Sequence, residues 1–229
     1  MIAASQSGPT AGRRAVMPAR LLYGRLLATA VQHALGTSPA PTGGLRRADG
    51  RLEALPLARW LGPADAADAV LLERAVGPVL DIGCGPGRHL AALPGRGLGV
   101  DLSPVAIRIA RGRGVDAVLG SVFGDVPRAG TWDTALLLDG NIGIGGAPGA
   151  LLHRARELLS PAGRLLVELE PPGVPTLRTR VRLEAPGAVS DWFAWAQVGV
   201  DGIGPLATGF AVGETLAVHD RWFAVLRRS

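Results

Sequence analysis

Residues 79–87 combine an apolar run, a carboxylate and alternating glycines in a pattern suited to binding a ligand. The segment reads Val-Leu-Asp-Ile-Gly-Cys-Gly-Pro-Gly, and a helical pattern begins at Arg88. Glycine lets the backbone turn tightly and approach a ligand closely, and the N-terminus of the next helix presents free N–H groups to it. The segment therefore predicts a strand, a ligand-binding loop and a helix.

The glycine spacing separates two classes of nucleotide site. A dinucleotide-binding fingerprint, G-x-G-x-x-G, requires its third glycine at position 88. That position is Arg88, and the glycines stand at 83, 85 and 87. Asp81, two residues before the first glycine, is also unusual for a dinucleotide site. These features disfavour a nicotinamide-dependent reductase, which stays as an alternative.

An acidic residue, any residue and then G-x-G-x-G resembles motif I of the class I (Rossmann-like) S-adenosylmethionine-dependent methyltransferases of small-molecule type. The resemblance extends over roughly residues 64–170. It implies an enzyme that transfers a methyl group from S-adenosylmethionine. It also implies that Gly83, Cys84, Gly85 and Gly87 wrap the methionine part of this donor, while Asp81 helps to orient the donor's amino group directly or through water.

A second carboxylate, Asp101, ends the next apolar run, 16 residues after Gly85. This interval is near the roughly 20 residues that separate a glycine loop from a ribose-binding carboxylate. Helix capping is the structural alternative for such an aspartate, but Ser103 followed by Pro104 is the better helix start. We therefore predict that Asp101 binds the ribose and that Leu102 lies in the same pocket.

The adenine side of the predicted pocket follows the third strand. Family members often carry an aspartate there that contacts the adenine amino group. The matching position in this chain is Ser121, whose hydroxyl can also form a hydrogen bond. Val122 and Phe123 are expected to flank the ring.

The glycine-rich loop of residues 139–146 is predicted to face the first loop. In a doubly wound sheet, ligands bind outside the carboxyl ends of the strands, where the strand order reverses. We place Asp139 and Gly140 against the donor and Asn141 against the methyl acceptor, with a flexible glycine turn as the alternative. The loop lacks the Asn/Asp-Pro-Pro-aromatic motif of some nucleobase and amide N-methyltransferases, which disfavours those classes.

The catalytic base stays unassigned, and its candidates by position are Asn141 and Glu170, at the end of the fifth strand. Trp192 and Trp195 are predicted to form an aromatic wall over the acceptor, with core packing as the alternative. His89 and His153 are expected to flank the loop and to lie on a helix surface, rather than to act as bases.

Alternating helices and short apolar strands predict an α/β fold: a doubly wound, mostly parallel seven-stranded sheet with a C-terminal antiparallel hairpin. This Rossmann-like domain spans residues 61–229 and includes an insertion at 174–197. Residues 1–60 form a leader with a disordered start, a helix over Met17–Leu35 and a hairpin at Asp49-Gly50, where a type I′ turn is expected. Whether the leader covers the site as a lid or packs on the sheet edge stays open.

Composition limits the partners. All 24 basic residues are arginine and the net charge is +5, which is weak evidence for nucleic acid because no basic cluster stands out. The single cysteine, Cys84, indicates a reducing cytoplasm and leaves no zinc-ligand spacing. We expect no metal, no membrane span and no secretory signal, and a small-molecule acceptor; the oligomeric state is not predicted.

Two other functions stay open. The first is an RNA or protein methyltransferase, for which a set of arginines would supply the contacts: Arg13, Arg14, Arg20 and Arg25, or Arg178, Arg180 and Arg182. The second is a non-catalytic protein that binds S-adenosylmethionine without turnover.

Overall fold

A computed structural model describes residues 14–229, so the expected disordered start and Arg13 lie outside the described residues. Within this part of the chain the strands are β1 (Ala15–Met17), β2 (Gly44–Arg47), β3 (Leu52–Ala54), β4 (Val79–Ile82), β5 (Gly97–Asp101), β6 (Ala117–Leu119), β7 (Trp132–Leu137), β8 (Leu159–Leu169), β9 (Leu177–Ala185), β10 (Ala188–Ser190), β11 (Phe193–Gln197), β12 (Phe210–Val218) and β13 (Arg221–Arg228). The α-helices are α1 (Ala19–Ala34), α2 (Leu57–Leu61), α3 (Ala66–Leu72), α4 (Arg88–Ala91), α5 (Pro104–Gly112), α6 (Pro148–Leu158) and α7 (Ile203–Leu206), with short 3₁₀ helices at Asn141–Gly146 and Val200–Gly202.

A seven-stranded sheet forms the main body, in the order β12-β13-β8-β7-β4-β5-β6. The five strands from β8 to β6 are mutually parallel. Strand β13 runs antiparallel to both β8 and β12, so β12 and β13 form the expected C-terminal hairpin. The predicted fold class is confirmed.

Both faces of this sheet are buried, which explains why its strands read as nearly continuous apolar runs. On one face Leu80 and Ile82 of β4 pack with α6 through Leu151 and Leu152. On the other face Val79 packs with apolar side chains of α3 and α5. Helices on both faces leave only the strand ends open, so a ligand site must lie there.

The helices begin where their capping residues predict. Asp65 and Asp68 form a reciprocal capping box at the start of α3. Ser103 caps α5 by accepting a hydrogen bond from the N–H of Ala106, and Pro104 takes the first helical position. These caps fix the helix ends nearest the carboxyl edge of the sheet.

A second sheet joins the leader to the insertion, in the order β1-β10-β9-β2-β3, with β11 also paired to β9. Leader strand β2 pairs antiparallel with β9, and leader strand β1 pairs parallel with β10. The leader and the insertion, which the sequence predicts as separate additions to the domain, therefore form one layer. That layer lies over the carboxyl end of the main sheet.

The predicted hairpin at Asp49-Gly50 is present as β2 and β3, but the predicted type I′ turn is wrong. Only Gly50 has a positive φ, of 91°, whereas a type I′ turn needs positive φ at both central residues. Asp49 instead accepts a hydrogen bond from the N–H of Arg51 at 2.9 Å. This side-chain bond stabilises a longer turn with a negative φ at Asp49.

Helix α1, which confirms the helix predicted over Met17–Leu35, joins the two sheets. Its Leu22, Leu26 and Leu27 are buried in a third core with Ala106 of α5 and Leu183 of β9. A Cβ at Gly24 would lie 2.9 Å from Cγ2 of Val105, so the absence of a side chain lets α1 lie directly on α5. Within residues 14–229, no helix has the length and apolar character needed to cross a membrane.

Candidate functional site

A cavity of about 840 Å³ opens at the carboxyl ends of β4, β5, β7 and β8. Its floor is formed by the loops that follow these strands. Its roof is formed by α1, α2 and the second sheet, through side chains that include Tyr23, Trp60, Arg47, Phe193 and Trp195. The volume falls within the roughly 300–1,000 Å³ typical of small-molecule sites. The leader and the insertion therefore cover the site together.

The glycine loop has the strained backbone that its sequence predicts. Gly83, Gly85 and Gly87 have φ values of 72°, 52° and 80°, in the left-handed region that side chains other than glycine disfavour. Gly83, Cys84 and Gly85 line the cavity, but Gly87 does not. A Cβ at Gly87 would lie 2.9 Å from Cβ of Ala110, so this glycine lets the loop pack against α5. Its predicted contact with the donor is corrected to a packing role.

Asp101 reaches back to the glycine loop and lines the cavity. Its Oδ2 accepts from the N–H of Gly85 at 3.0 Å, and its Oδ1 accepts from the N–H of Ser103 at 2.7 Å. Burial raises the pKa of Asp101, and these N–H groups partly offset that rise. Each carboxylate oxygen retains a further lone pair that can accept a hydroxyl. The neighbouring Leu102 lines the same cavity.

Asp81 lies behind the cavity wall and not on it, which leaves the water-mediated form of its predicted role. Leu80 and Ile82 occupy the opposite face of β4, and this alternation points Asp81 towards α4. It is 1% exposed, and its Oδ2 makes no hydrogen bond within residues 14–229. That oxygen lies 3.5 Å from Nδ1 of His89. His89 is therefore buried behind the loop, whereas His153 is exposed on α6.

A network of ion pairs supports the floor of the cavity. Arg88 donates to the fully buried Asp68 of α3 and, through Nη2, to both oxygens of Asp139 at 2.8 and 2.9 Å. Burial raises the pKa of Asp139, but the charges of His89, Arg88 and Arg59 outweigh it and hold the pKa below its usual value. Arg88, which replaces the third glycine of a dinucleotide site, thus ties two helices to the end of β7.

Arg221 of β13 extends this network to Glu168. Its Nε and Nη2 donate to Glu168 at 2.7 and 2.8 Å, and its Nη1 donates to Asp68 at 2.7 Å. Glu168 also accepts from the N–H of Asp139 at 2.7 Å. The network was missed from the sequence because its members come from five separate elements.

The predicted adenine loop contributes two of its three residues. Ser121 and Val122 line the cavity, whereas Phe123 does not and is 49% exposed. The backbone N–H of Phe123 donates to Oγ of Ser121 at 3.2 Å. The Phe123 ring lies beside Gly145, which does line the cavity, so its place beside the adenine stays a prediction.

The 139–146 loop faces the glycine loop, as predicted, and Asn141 joins the two. Its Nδ2 donates to the carbonyl oxygens of Ile82 and Gly83, both at 2.9 Å. Asp139, Gly140 and Asn141 all line the cavity. Because its amide group is bound to main-chain carbonyls, Asn141 is suited to hold the loops together and cannot act as a base.

The far side of the cavity carries Glu170 and an aromatic wall. Burial and the charge of Glu53 raise the pKa of Glu170, and Arg47 partly offsets this. Trp195 lines the cavity and contacts Phe193 edge to face, with ring centroids 6.1 Å apart. Trp192 does not line the cavity.

The prediction for Trp192 as part of the acceptor wall is therefore corrected. The guanidinium of Arg182 lies 4.9 Å from the centre of the Trp192 ring. Trp192 precedes β11, whereas Phe193 and Trp195 alternate on the strand and share one face. The same alternation in the sequence would have indicated Phe193 in place of Trp192.

No group of three or more His, Cys, Asp or Glu side chains within residues 14–229 is arranged to hold a metal ion. The cavity surface is mainly apolar, and its polar groups are carboxylates, two amides, a tyrosine hydroxyl and arginines.

Comparison with known proteins agrees with this geometry. Residues 79–163 match the family model for a methyltransferase domain. An S-adenosylmethionine-dependent methyltransferase from Bacteroides fragilis, solved with S-adenosylhomocysteine, superposes with a TM-score of 0.75 at 23% identity over 94% of this chain and 98% of its own. None of the curated proteins matches the chain.

A second solved structure also covers nearly the whole chain. It is the Burkholderia thailandensis 1,6-didemethyltoxoflavin-N1-methyltransferase, with a TM-score of 0.55 at 19% identity over 97% of this chain and 93% of its own. An amino pentose methyltransferase from Micromonospora echinaspora has a TM-score of 0.51 at 19% identity over 71% and 87%. Residues 79–163 thus match a methyltransferase domain, and the chain has the fold of the class I, S-adenosylmethionine-dependent methyltransferases.

Proposed function

We propose that this protein transfers the methyl group of S-adenosylmethionine to a small-molecule acceptor held in the roofed half of the cavity. The observation that carries the proposal is that two opposite walls of one cavity present different groups. The floor presents the glycine loop and Asp101, and the roof presents Phe193 and Trp195. The leader and the insertion, joined in one sheet, act as the cover of the acceptor site.

The floor fits the donor. At Gly83 and Gly85 the backbone has no side chain to exclude a ligand, and both residues line the cavity. Asp101, held by the N–H groups of Gly85 and Ser103, presents free lone pairs for the ribose hydroxyls. The buried Oδ2 of Asp81, which has no hydrogen-bond partner in the described part of the chain, supplies negative potential behind the loop and favours a cationic amino group above it.

The bound donor supplies an already activated methyl group on a sulfonium centre. The protein must therefore place the acceptor atom about 3–3.5 Å from that carbon and in line with the bond that breaks. Asn141 fixes the distance between the two loops that border this point. Glu170 stands on the acceptor side, and its raised pKa suits it to take the proton that the acceptor releases.

Three observations support a small-molecule acceptor over RNA or a protein. The roof encloses the cavity with aromatic side chains, as small-molecule sites require. Two of the arginines that an RNA-binding face would use are engaged within the second sheet, because Arg14 and Arg182 both bond to Glu184. The Burkholderia and Micromonospora relatives are described as acting on small molecules. We also propose a cytoplasmic location, because the lone Cys84 is a buried thiol.

Calorimetry with S-adenosylhomocysteine and NADH tests the proposal. We expect binding of S-adenosylhomocysteine only, weakened by about 1–3 kcal/mol in Asp101→Ala because charge-assisted hydrogen bonds are lost. Asp116→Ala, at an exposed carboxylate before β6, is the matched control and should bind as the wild type does. Binding of NADH alone would contradict the proposal. Donor binding without turnover on any of a panel of amines, phenols and thiols would favour the non-catalytic alternative.

A further inference from the structure

Tyr23 brings a hydroxyl group from the leader to the glycine loop. It lies on α1 and lines the cavity, and its Oη is 3.1 Å from the position that a Cβ of Gly85 would occupy. Burial, followed by the charges of Asp101 and Asp139, raises its pKa well above the usual value. The hydroxyl therefore stays protonated and is available as a hydrogen-bond donor.

Trp60 of α2 places a second donor beside the first. Its ring meets that of Tyr23 edge to face, with centroids 5.8 Å apart, and it also lines the cavity. Its indole N–H is buried and has no hydrogen-bond partner within residues 14–229. Because a buried polar group without a partner is costly, this N–H indicates a ligand atom that accepts a hydrogen bond.

The charges around the two rings indicate the sign of that ligand group. Arg20 lies one helical turn before Tyr23 and also lines the cavity. Arg59, next to Trp60, donates through Nε to Asp65 at 3.1 Å, while its buried Nη2 makes no hydrogen bond within residues 14–229, although Asp139 lies 3.3 Å away. The roof at this end of the cavity thus offers donors and positive charge, whereas the floor offers carboxylates. A zwitterion with its anionic end towards the roof is complementary to both.

We infer that Tyr23 and Trp60, with Arg20 at the mouth, bind the α-carboxylate of the methionine part of the donor. This inference rests on the proposed function, in which the glycine loop holds that part of the molecule. One carboxylate has two oxygens and can accept from the hydroxyl and the indole N–H together. The leader then completes the donor site as well as covering the acceptor.

Calorimetry with S-adenosylmethionine and its decarboxylated analogue tests the inference. The analogue keeps the amino group and lacks only the carboxylate. We expect the wild type to prefer S-adenosylmethionine by about 10-fold or more. Tyr23→Phe and Trp60→Phe should each lower the affinity for S-adenosylmethionine by about 10-fold and change the affinity for the analogue by less than about two-fold. Each substitution removes one hydrogen-bond donor and keeps an aromatic ring.

Matched controls remove similar groups elsewhere. Thr29→Val removes a hydroxyl from the same helix that bonds only to the carbonyl of Arg25, and Trp192→Phe removes an indole N–H outside the cavity. Both should bind both ligands as the wild type does, and thermal unfolding verifies that every variant is folded. Equal loss for both ligands, or loss for neither, would overturn the inference while the proposed function stands. A wild type that binds neither ligand would overturn both.

Discussion

The two sheets meet at one cavity but contribute different kinds of groups to it. The main sheet offers main chain and carboxylates, at the glycine loop, Asp101 and Asp139. The second sheet and the helices beside it offer aromatic rings and arginines, at Trp195, Phe193 and Arg47. Main-chain geometry suits a constant ligand such as a shared methyl donor, while exposed side chains determine which acceptor fits. We therefore expect the part of the cavity formed by the main sheet, the donor half, to bind the methyl donor, and the roof to determine which acceptor binds.

The largest expected loss of stability comes from removing the ion pairs that support the cavity floor. Arg88→Met should lower the free energy of unfolding by about 3 kcal/mol, the low end for breaking a buried ion pair, because it removes the buried guanidinium that Asp68 and Asp139 share and leaves them only Arg221 and Arg59. Urea unfolding measures the loss. Arg74→Met, which removes an exposed pair with Glu214, is the control and should cost about 0–1 kcal/mol. A similar small loss in Arg88→Met would show that the network does not support the floor.

A smaller effect tests the roof by its pH dependence. Hydrogen bonds from Arg46, and then from Arg182, lower the pKa of Glu184 from 4.5 to about 2. Because the folded-state pKa lies below the unfolded one, the stabilisation is complete above the unfolded pKa and is lost as the pH falls towards 2. Glu184→Gln should therefore destabilise the protein by about 1–3 kcal/mol at pH 7 and by clearly less at pH 3. Equal destabilisation at both values would contradict this assignment.

Removing the contact between the 139–146 loop and the glycine loop should give a loss of stability of similar or smaller size. Asn141→Ala should lower the free energy of unfolding by about 1–2 kcal/mol, since it removes both bonds from Nδ2 to the glycine loop. Weaker binding of S-adenosylhomocysteine should accompany it, as measured by calorimetry. If Asn141 acted only on the acceptor, binding of this ligand would stay unchanged.

The smallest effect lies at the edge of the roof. Gly50→Ala should cost about 1 kcal/mol, because φ is 91° at this residue and an added Cβ meets no atom within 4 Å. Thermal unfolding measures this change, and binding of S-adenosylhomocysteine should not alter. A large loss of S-adenosylhomocysteine binding would mean that the conformation of the β2–β3 turn affects the donor half.

The main sheet was predictable because its information is local. The apolar strand before Gly83, the alternating glycines and the Ser103-Pro104 cap each act within a few residues. The resemblance to a known motif then supplied the strand order. Asp101, Ser121 and Asn141 were placed at the cavity for the same reason, since each follows a predicted strand.

The second sheet was not predictable because its pairs are distant in sequence. Leu45 pairs with Leu183 across more than half of the chain, and neither strand carries a pattern that names its partner. Tyr23 and Trp60 were missed because an aromatic residue on a helix reads as core packing until its surroundings are known. The position of Asp81 could not be predicted for another reason, since the alternation of side chains along β4 places its carboxylate behind the cavity wall, beside His89.

A crystal structure with bound S-adenosylhomocysteine tests the central claim most directly. The account predicts that the ribose hydroxyls lie within hydrogen-bond distance of Asp101 and that the amino-acid end crosses Gly83 and Gly85 beneath Tyr23. A ligand bound elsewhere, or ribose hydroxyls turned away from Asp101, would contradict it.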